Sequence, residues 1–328
     1  MRDSIVSPPN NASDRKHGNF VFSLDTELAW GEFWNGTPHR RTRRRGDVER
    51  EGIRRILDLM DAYEVRATWA ITGHLFYPLG VPCPDCPIER LRGQDPHFAD
   101  VWGTDKGLWY GADIVEEILA RDAGHEIACH GYTHRYFDSL SPEEARFEIE
   151  KWVALAREHG LMPWTVIFPQ GRIAHLDLFR EAGFLSYRGK DVRQPMLAVP
   201  ILGKLLNRAN LRLAFLRPQV FDPDCDASGL VNIPSSLWMF RTDRRVETTL
   251  DALGVPFLRL RGAAHAIRDA ARTGKTVHLW AHPHEFRTEE DFRKLAFVFE
   301  QFSQEAQAGR LESITMAELA RQTAGREC

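Results

Sequence analysis

From Asn19 onward, short apolar runs alternate with longer amphipathic stretches. NFVFSLD (19–25), RATWAIT (66–72), GHEIACH (124–130), WTVIFP (164–169) and TVHLWAH (276–282) are brief and rich in β-branched and aromatic residues, and each predicts a buried strand. In VEREGIRRILDLMDAYEV, Ile53, Ile56, Leu57 and Met60 recur at helical spacing. SPEEARFEIEKWVALAREHG predicts a second helix with both ends marked. Ser141 is its N-cap, Pro142 its first helical residue, Glu144 the capping-box partner and Gly160 the stop. Strands alternating with helices of this length predict parallel strands joined by crossover helices, in a barrel or a doubly wound sheet. Two stretches break the rhythm. Residues from Phe76 to about Tyr110 are rich in Pro, Gly, Asp and Cys and read as a long inserted loop; those from about Asp191 to Leu216 read as a basic-apolar helical stretch. With no solenoid repeat and no clear linker, one domain over residues 19–323 with inserted loops is expected, after a disordered lead-in over residues 1–18.

Composition narrows the class. The chain has 328 residues, 43% hydrophobic and 27% charged, which excludes a fibrous or wholly disordered protein. Its 43 basic and 46 acidic residues leave a net charge of −3, so no nucleic-acid partner is expected. No window approaches the roughly 20 apolar residues of a membrane span, and the lead-in has no apolar core of the secretory kind, so a cytoplasmic protein is expected. The 5 cysteines form no framework pattern, which agrees with a reducing compartment. Cys83 and Cys86 have metal or redox spacing, but without a second pair they read as loop structure.

In α/β folds, polar residues at the carboxyl ends of parallel strands gather on one face and make the site. Asp25 and Glu27 follow the first strand. They are either a helix cap beside a solvated acid, or two buried carboxylates that need a cation or a shared proton. His130 and His134 follow the third strand, with Gly131 between them to bend the chain back. Alone they read as coincidence; joined to the carboxylates they make a His, His, acid set with open positions for water, the pattern of a hydrolytic metal site. His282 ends the last run and could deliver a proton, whereas His278, deeper on the same strand face, reads as a core histidine. Gln170 and Arg172, after the run ending at Phe168, could bond a catalytic carboxylate or substrate, or simply form a surface turn.

These segments, in this order, resemble the polysaccharide deacetylase family (NodB homology, carbohydrate esterase family four) over roughly Asn19 to Arg321. SLDTELAWG resembles its first motif in a spaced-acid form, GHEIACHGYTHRYF its histidine motif, IFPQGR with the following AGFLSYRG its third, and LWAHPHEF its last. The resemblance implies a distorted (β/α)-barrel of seven or so strands and metal-dependent removal of an acetyl group from a sugar. By motif position it implies Glu27, His130 and His134 as ligands of a divalent metal, usually zinc, with cobalt, manganese or nickel as alternatives. Asp25 would be the base and His282 the acid. Arginine commonly follows the proline of the third motif and orients the base; here Gln170 stands there, so Arg172 after a local shift, or Gln170 itself, is expected in that role.

The arginine run 40, 41, 43, 44 and 45 reads as a solvated face or as a phosphate clamp beside the site, with Arg44 as its candidate contact. A clamp would suit a nucleotide-linked or lipid-linked sugar. Tryptophans near strand ends suit stacking on a sugar ring, Trp30 among them. The rival readings are a hydrolase of a non-sugar amide or cyclic imide on the same fold, and a catalytically silent glycan-binding protein.

Overall fold

In the computed structural model, which describes residues 17–34, 45–81, 83, 85, 105–192, 217–240, 249, 252 and 258–327, the first apolar run forms β1 (Gly18–Thr26) near the middle of one sheet. To one side lie β2 (Thr68–Ile71), β3 (Glu126–Cys129), β4 (Thr165–Val166) and β5 (Ser186–Tyr187), each parallel to its neighbour. β6 (Asp224–Cys225) runs antiparallel to β7 (Val231–Asn232), and β7 is parallel to β5. On the other side of β1 lie β9 (Thr276–Ala281) and then β8 (Leu237–Trp238), while β10 (Leu311–Ser313) pairs with the opening residues of β1. β7 and β8 are two parts of one segment, parted at Pro234, so the chain itself joins the two sides and the sheet curls into a distorted barrel. Among the described residues the sheet has 10 strands where seven or so were expected. The excess comes from two-residue strands, too short to carry a periodicity.

Around the sheet stand α1 (Trp30–Phe33), α2 (Gly46–Ala62), α3 (Ala112–Leu119), α4 (Pro142–Glu158), α5 (Leu176–Glu181), α6 (Leu258–Thr273), α7 (Glu289–Gln307) and α8 (Met316–Glu327). α2 buries Ile53, Ile56, Leu57 and Met60, the stripe its spacing predicts. α4 begins in the expected capping box between Ser141 and Glu144, with proline in its first turn.

The two-residue period of the strands sorts side chains between two cores. Phe20, Phe22 and Leu24 of β1 join the outer core under the helices, where Phe20 stacks on Phe302 at 4.7 Å. Val21 faces inward and packs with Ala70, Ile167, Val231, Ile233 and residues Met316, Leu319 and Ala320 of α8. α8 thus closes the end of the barrel where the strands begin. There, Glu126 Oε2 accepts from Thr68 Oγ1 at 2.7 Å and from the Ala317 N–H at 2.9 Å, pinning the helix to β2 and β3.

Residues 1–16 of the expected lead-in, most of the inserted loop after Phe76 and residues 193–216 lie outside the described set, and β1 already begins at Gly18. Cys83 and Cys129 are free thiols, but Cys225 is disulfide-bonded, against the expectation of uniformly reduced cysteines. Among the described residues, no helix is long and apolar enough to cross a membrane.

Candidate metal centre

Strand register sets the site. Leu24 pairs with Ala281, so the next residues, Asp25 and His282, emerge level from β1 and β9. Cys129 pairs with Val166 and Val166 with Tyr187, so His130 and Arg188 leave β3 and β5 at one height. All four point into the barrel by the alternation that turns Cys129 and Tyr187 outward.

Glu27, His130 and His134 form a buried cluster whose ligand atoms all lie within 4.8 Å of one another. The chain reaches Glu27 and turns at once through Leu28, which has a positive φ of 46°. After His130, Gly131 at φ 72° reverses the backbone and His134 itself takes φ 63°, so both imidazoles return to one point, as the intervening glycine predicts. Glu148 of α4 holds this loop from behind. It accepts from the Tyr132 and Thr133 N–H groups at 2.8 and 2.9 Å and from Thr133 Oγ1 at 2.6 Å.

The donor set fits a divalent cation. His130 Nδ1 donates to the Ile167 carbonyl at 2.7 Å, so a neutral ring turns its Nε2 lone pair toward Glu27 Oε2, 3.3 Å away. Two lone pairs facing each other require a proton or a cation between them. His134 Nε2 stands 2.7 Å from the same oxygen, yet neither ring nitrogen of His134 has an aligned hydrogen-bond partner. Burial opposes charge on Glu27, but His134 and His130 outweigh it and hold its carboxyl well below the usual range. Burial pushes His134 down despite the facing carboxylate, favouring the neutral ring that ligation needs.

Asp25 is held by a residue the sequence reading missed. Arg188 grips it with two parallel bonds, Nη1 to Oδ1 and Nη2 to Oδ2, both 2.6 Å. Burial opposes the charge here too; Arg188 first, then His130, outweighs it and keeps the carboxyl below its ordinary value. Arg188 also reaches Ser23 Oγ at 3.3 Å, and its guanidinium lies 4.2 Å over the Trp280 ring. Ser23 in turn bonds His278 Nε2 at 2.8 Å, while His278 Nδ1 donates to the Pro234 carbonyl at 3.0 Å. Burial, aided by Arg188, pushes His278 down to about 3. It is the core histidine expected, and it ties β1 and β9 to the closing segment.

His282 stands 3.3 Å from Glu285 Oε2 through Nδ1. Glu285 also accepts from the His282 N–H at 2.7 Å and from Trp238 Nε1 at 3.0 Å. Burial would lower His282, but Glu285, with Glu27 and Asp25 beyond it, raises it to about 9. Trp238 and Trp280, stacked with centroids 4.8 Å apart, flank the ring.

Three expectations change. Arg172 does not reach Asp25: it lies 3.5 Å from Asp138 and 4.4 Å over the Tyr136 ring, and Arg188 occupies the orienting position. Gln170 is exposed in the turn Pro169–Gly171, with a positive φ of 55°. Trp30 is fully buried, donating Nε1 to the Trp109 carbonyl at 3.1 Å, so it anchors the core and cannot stack on substrate. Arg44 lies outside the described residues. The signal for Arg188 was an arginine at the end of a short buried segment, as Asp25 is; for Glu285, an acid three residues after His282.

Residues 46–183 match the family model described as polysaccharide deacetylase. No curated protein matches the chain. Among solved structures, a Mycobacterium smegmatis protein named as a polysaccharide deacetylase superposes with a TM-score of 0.58 at 16% identity, over 99% of this chain and 96% of its own. Puue allantoinase superposes with a TM-score of 0.51 at 14% identity, over 98% and 95%. At these identities the likeness is one of fold.

Proposed function

We propose, from the premise that this chain is a carbohydrate deacetylase of the polysaccharide deacetylase family, that it is a metal-dependent hydrolase removing an acetyl group from an N-acetylated or O-acetylated sugar, carried on a nucleotide-linked or lipid-linked precursor. The observation that carries this reading is the buried Glu27, His130 and His134 cluster beside an Asp25 gripped by Arg188. Those three residues would hold the ion, zinc in the first instance, with cobalt, manganese or nickel as alternatives. Bound there, it supplies Lewis acidity toward the acetyl carbonyl and lowers the pKa of water. The chain's own residues manage the protons. Asp25, held ionised by Arg188, takes the proton of the attacking water, each carboxylate oxygen keeping a lone pair beyond its bond to the guanidinium. His282, kept protonated by Glu285, gives its proton to the departing sugar nitrogen or oxygen. The products are acetate and the free amino or hydroxyl sugar. Trp238, partly exposed beside His282, suits stacking on the sugar ring, in place of Trp30, while Trp280 is covered by Trp238 and the Arg188 guanidinium. Residues 19–323 act as one domain in this reading, since it draws on side chains from Asp25 to Glu285.

The test is metal analysis of the purified protein together with acetate release from nucleotide-linked N-acetyl sugars and chitooligosaccharides, before and after chelation. Acetate release lost on chelation and restored by zinc is expected. A protein that binds no metal, releases no acetate and opens allantoin instead would establish the cyclic-amide alternative.

A further inference from the structure

The space beside Glu27 is shaped for a glutamate. Its Oε2 faces the two histidines, while Oε1 occupies the place a β-carbon would take at position 31. A Cβ built on Gly31 overlaps Oε1 and Cδ of Glu27 and comes 3.0 Å from Cγ. Such an overlap is relieved by moving either α1 or the carboxylate. α1 is pinned: Trp30 packs on His74 at 4.5 Å and on Trp109 at 5.4 Å, and Phe33 on Trp109 at 5.7 Å. The Ala29 N–H bonds the Leu108 carbonyl at 3.1 Å and the Trp30 N–H returns to the Glu27 carbonyl at 2.9 Å. The Glu27 side chain, by contrast, ends in rotatable bonds, so the carboxylate yields first and leaves His130 and His134.

We propose that Gly31 is a positioning residue for Glu27, an inference that rests on reading Glu27, His130 and His134 as the metal centre. Gly31 reserves the volume that the glutamate carboxylate fills, more of it than an aspartate, one methylene shorter, would use. The ligand and the glycine four residues later form one unit, and changing either alone mismatches reach and space.

The experiment is a double-mutant cycle read by zinc affinity in calorimetry, with thermal unfolding of each metal-free protein alongside. Gly31→Ala should weaken zinc binding roughly tenfold or more, the usual effect of disturbing a ligand's support. Its unfolding midpoint should stay at the wild-type value, because the displacement falls on a side-chain end. Glu27→Asp should weaken zinc on its own, and adding Gly31→Ala to it should cost clearly less than it does beside Glu27, because Oε1, the atom nearest the new Cβ, is gone. An unchanged zinc affinity in Gly31→Ala overturns the proposal, as does an equal loss in both backgrounds, or an early unfolding midpoint that marks a purely structural glycine. Wild-type protein that binds no zinc is a different result: it fails the metal-centre reading itself, and the inference with it.

Discussion

Asp25, the proposed base, would serve only while ionised and aimed, and Arg188 favours both through its planar fork. Arg188→Met should therefore lower kcat about 100-fold, the low end of what a positioned base contributes. It should also destabilise the fold by about 3–5 kcal/mol, because the Asp25 charge is left buried without its partner. Steady-state kinetics and urea unfolding read the two effects separately. Arg172→Ala, on an exposed pair with Asp138, should change stability by no more than about 0.5 kcal/mol. Glu285 sets a pH limit. With His282 raised to about 9, the proposed acid is protonated at neutral pH and its activity falls as pH rises through about 9. The folded state favours the charged ring, so its contribution to stability is full below the ordinary histidine value of about 6.5 and is lost as pH rises through about 9. Glu285→Gln should move the basic limb of the pH–rate profile down toward about 6.5. At this scale Asp25, Glu27, His130, His134 and His282 were legible as polar residues closing apolar runs. Arg188 was not, because its segment is too short to announce a strand and its partner lies 163 residues away.

The loop from Gly131 to His134 is the element on which the candidate metal centre depends, and it is supported by α4. Glu148 falls on the buried face with Ala145, Ile149 and Trp152, where its carboxylate gathers three donors from the loop. Glu148→Ala orphans those donors, each costing about 1–3 kcal/mol when buried and unmet. A loss of several kcal/mol in urea unfolding is expected, together with weaker zinc binding as His134 loses its backbone restraint. Glu148→Gln, which keeps one acceptor oxygen, should lose less of both. The ends of α4 could be read from its capping residues because a cap is a local contact. The role of Glu148 left only one trace, an acid on an otherwise apolar stripe.

At the scale of the molecule, one end of the barrel is plugged by α8 and the candidate site lies at the other. Met316, Leu319 and Ala320 fill the interior opposite the site, and a buried side chain of the size of leucine or methionine contributes about 1.5–3 kcal/mol. Deleting residues 316–327 should uncover Val21, Ala70, Ile167 and Ile233 and release the Glu126 carboxylate from Ala317. A lower unfolding midpoint and binding of a hydrophobic dye are expected, with zinc affinity lost although no ligand was touched. The far end of the barrel sets the register on which the candidate metal ligands depend.

Taken alone, the sequence determined the segments of β1, β2, β3, β4 and β9, the two best-marked helices, the alternation of parallel strands with crossover helices and the residues that close β1, β3 and β9, since period, caps and strand ends are properties of neighbouring residues. Tertiary structure decided which arginine faces Asp25, that Trp30 is sealed in the core, that residues 231–238 join the two sides of the sheet, and that Gly31 makes room for Glu27. Each of these is a contact set by strand register or by the close approach of two packed elements. Register depends on how every strand sits against its partners, and no single segment carries that information.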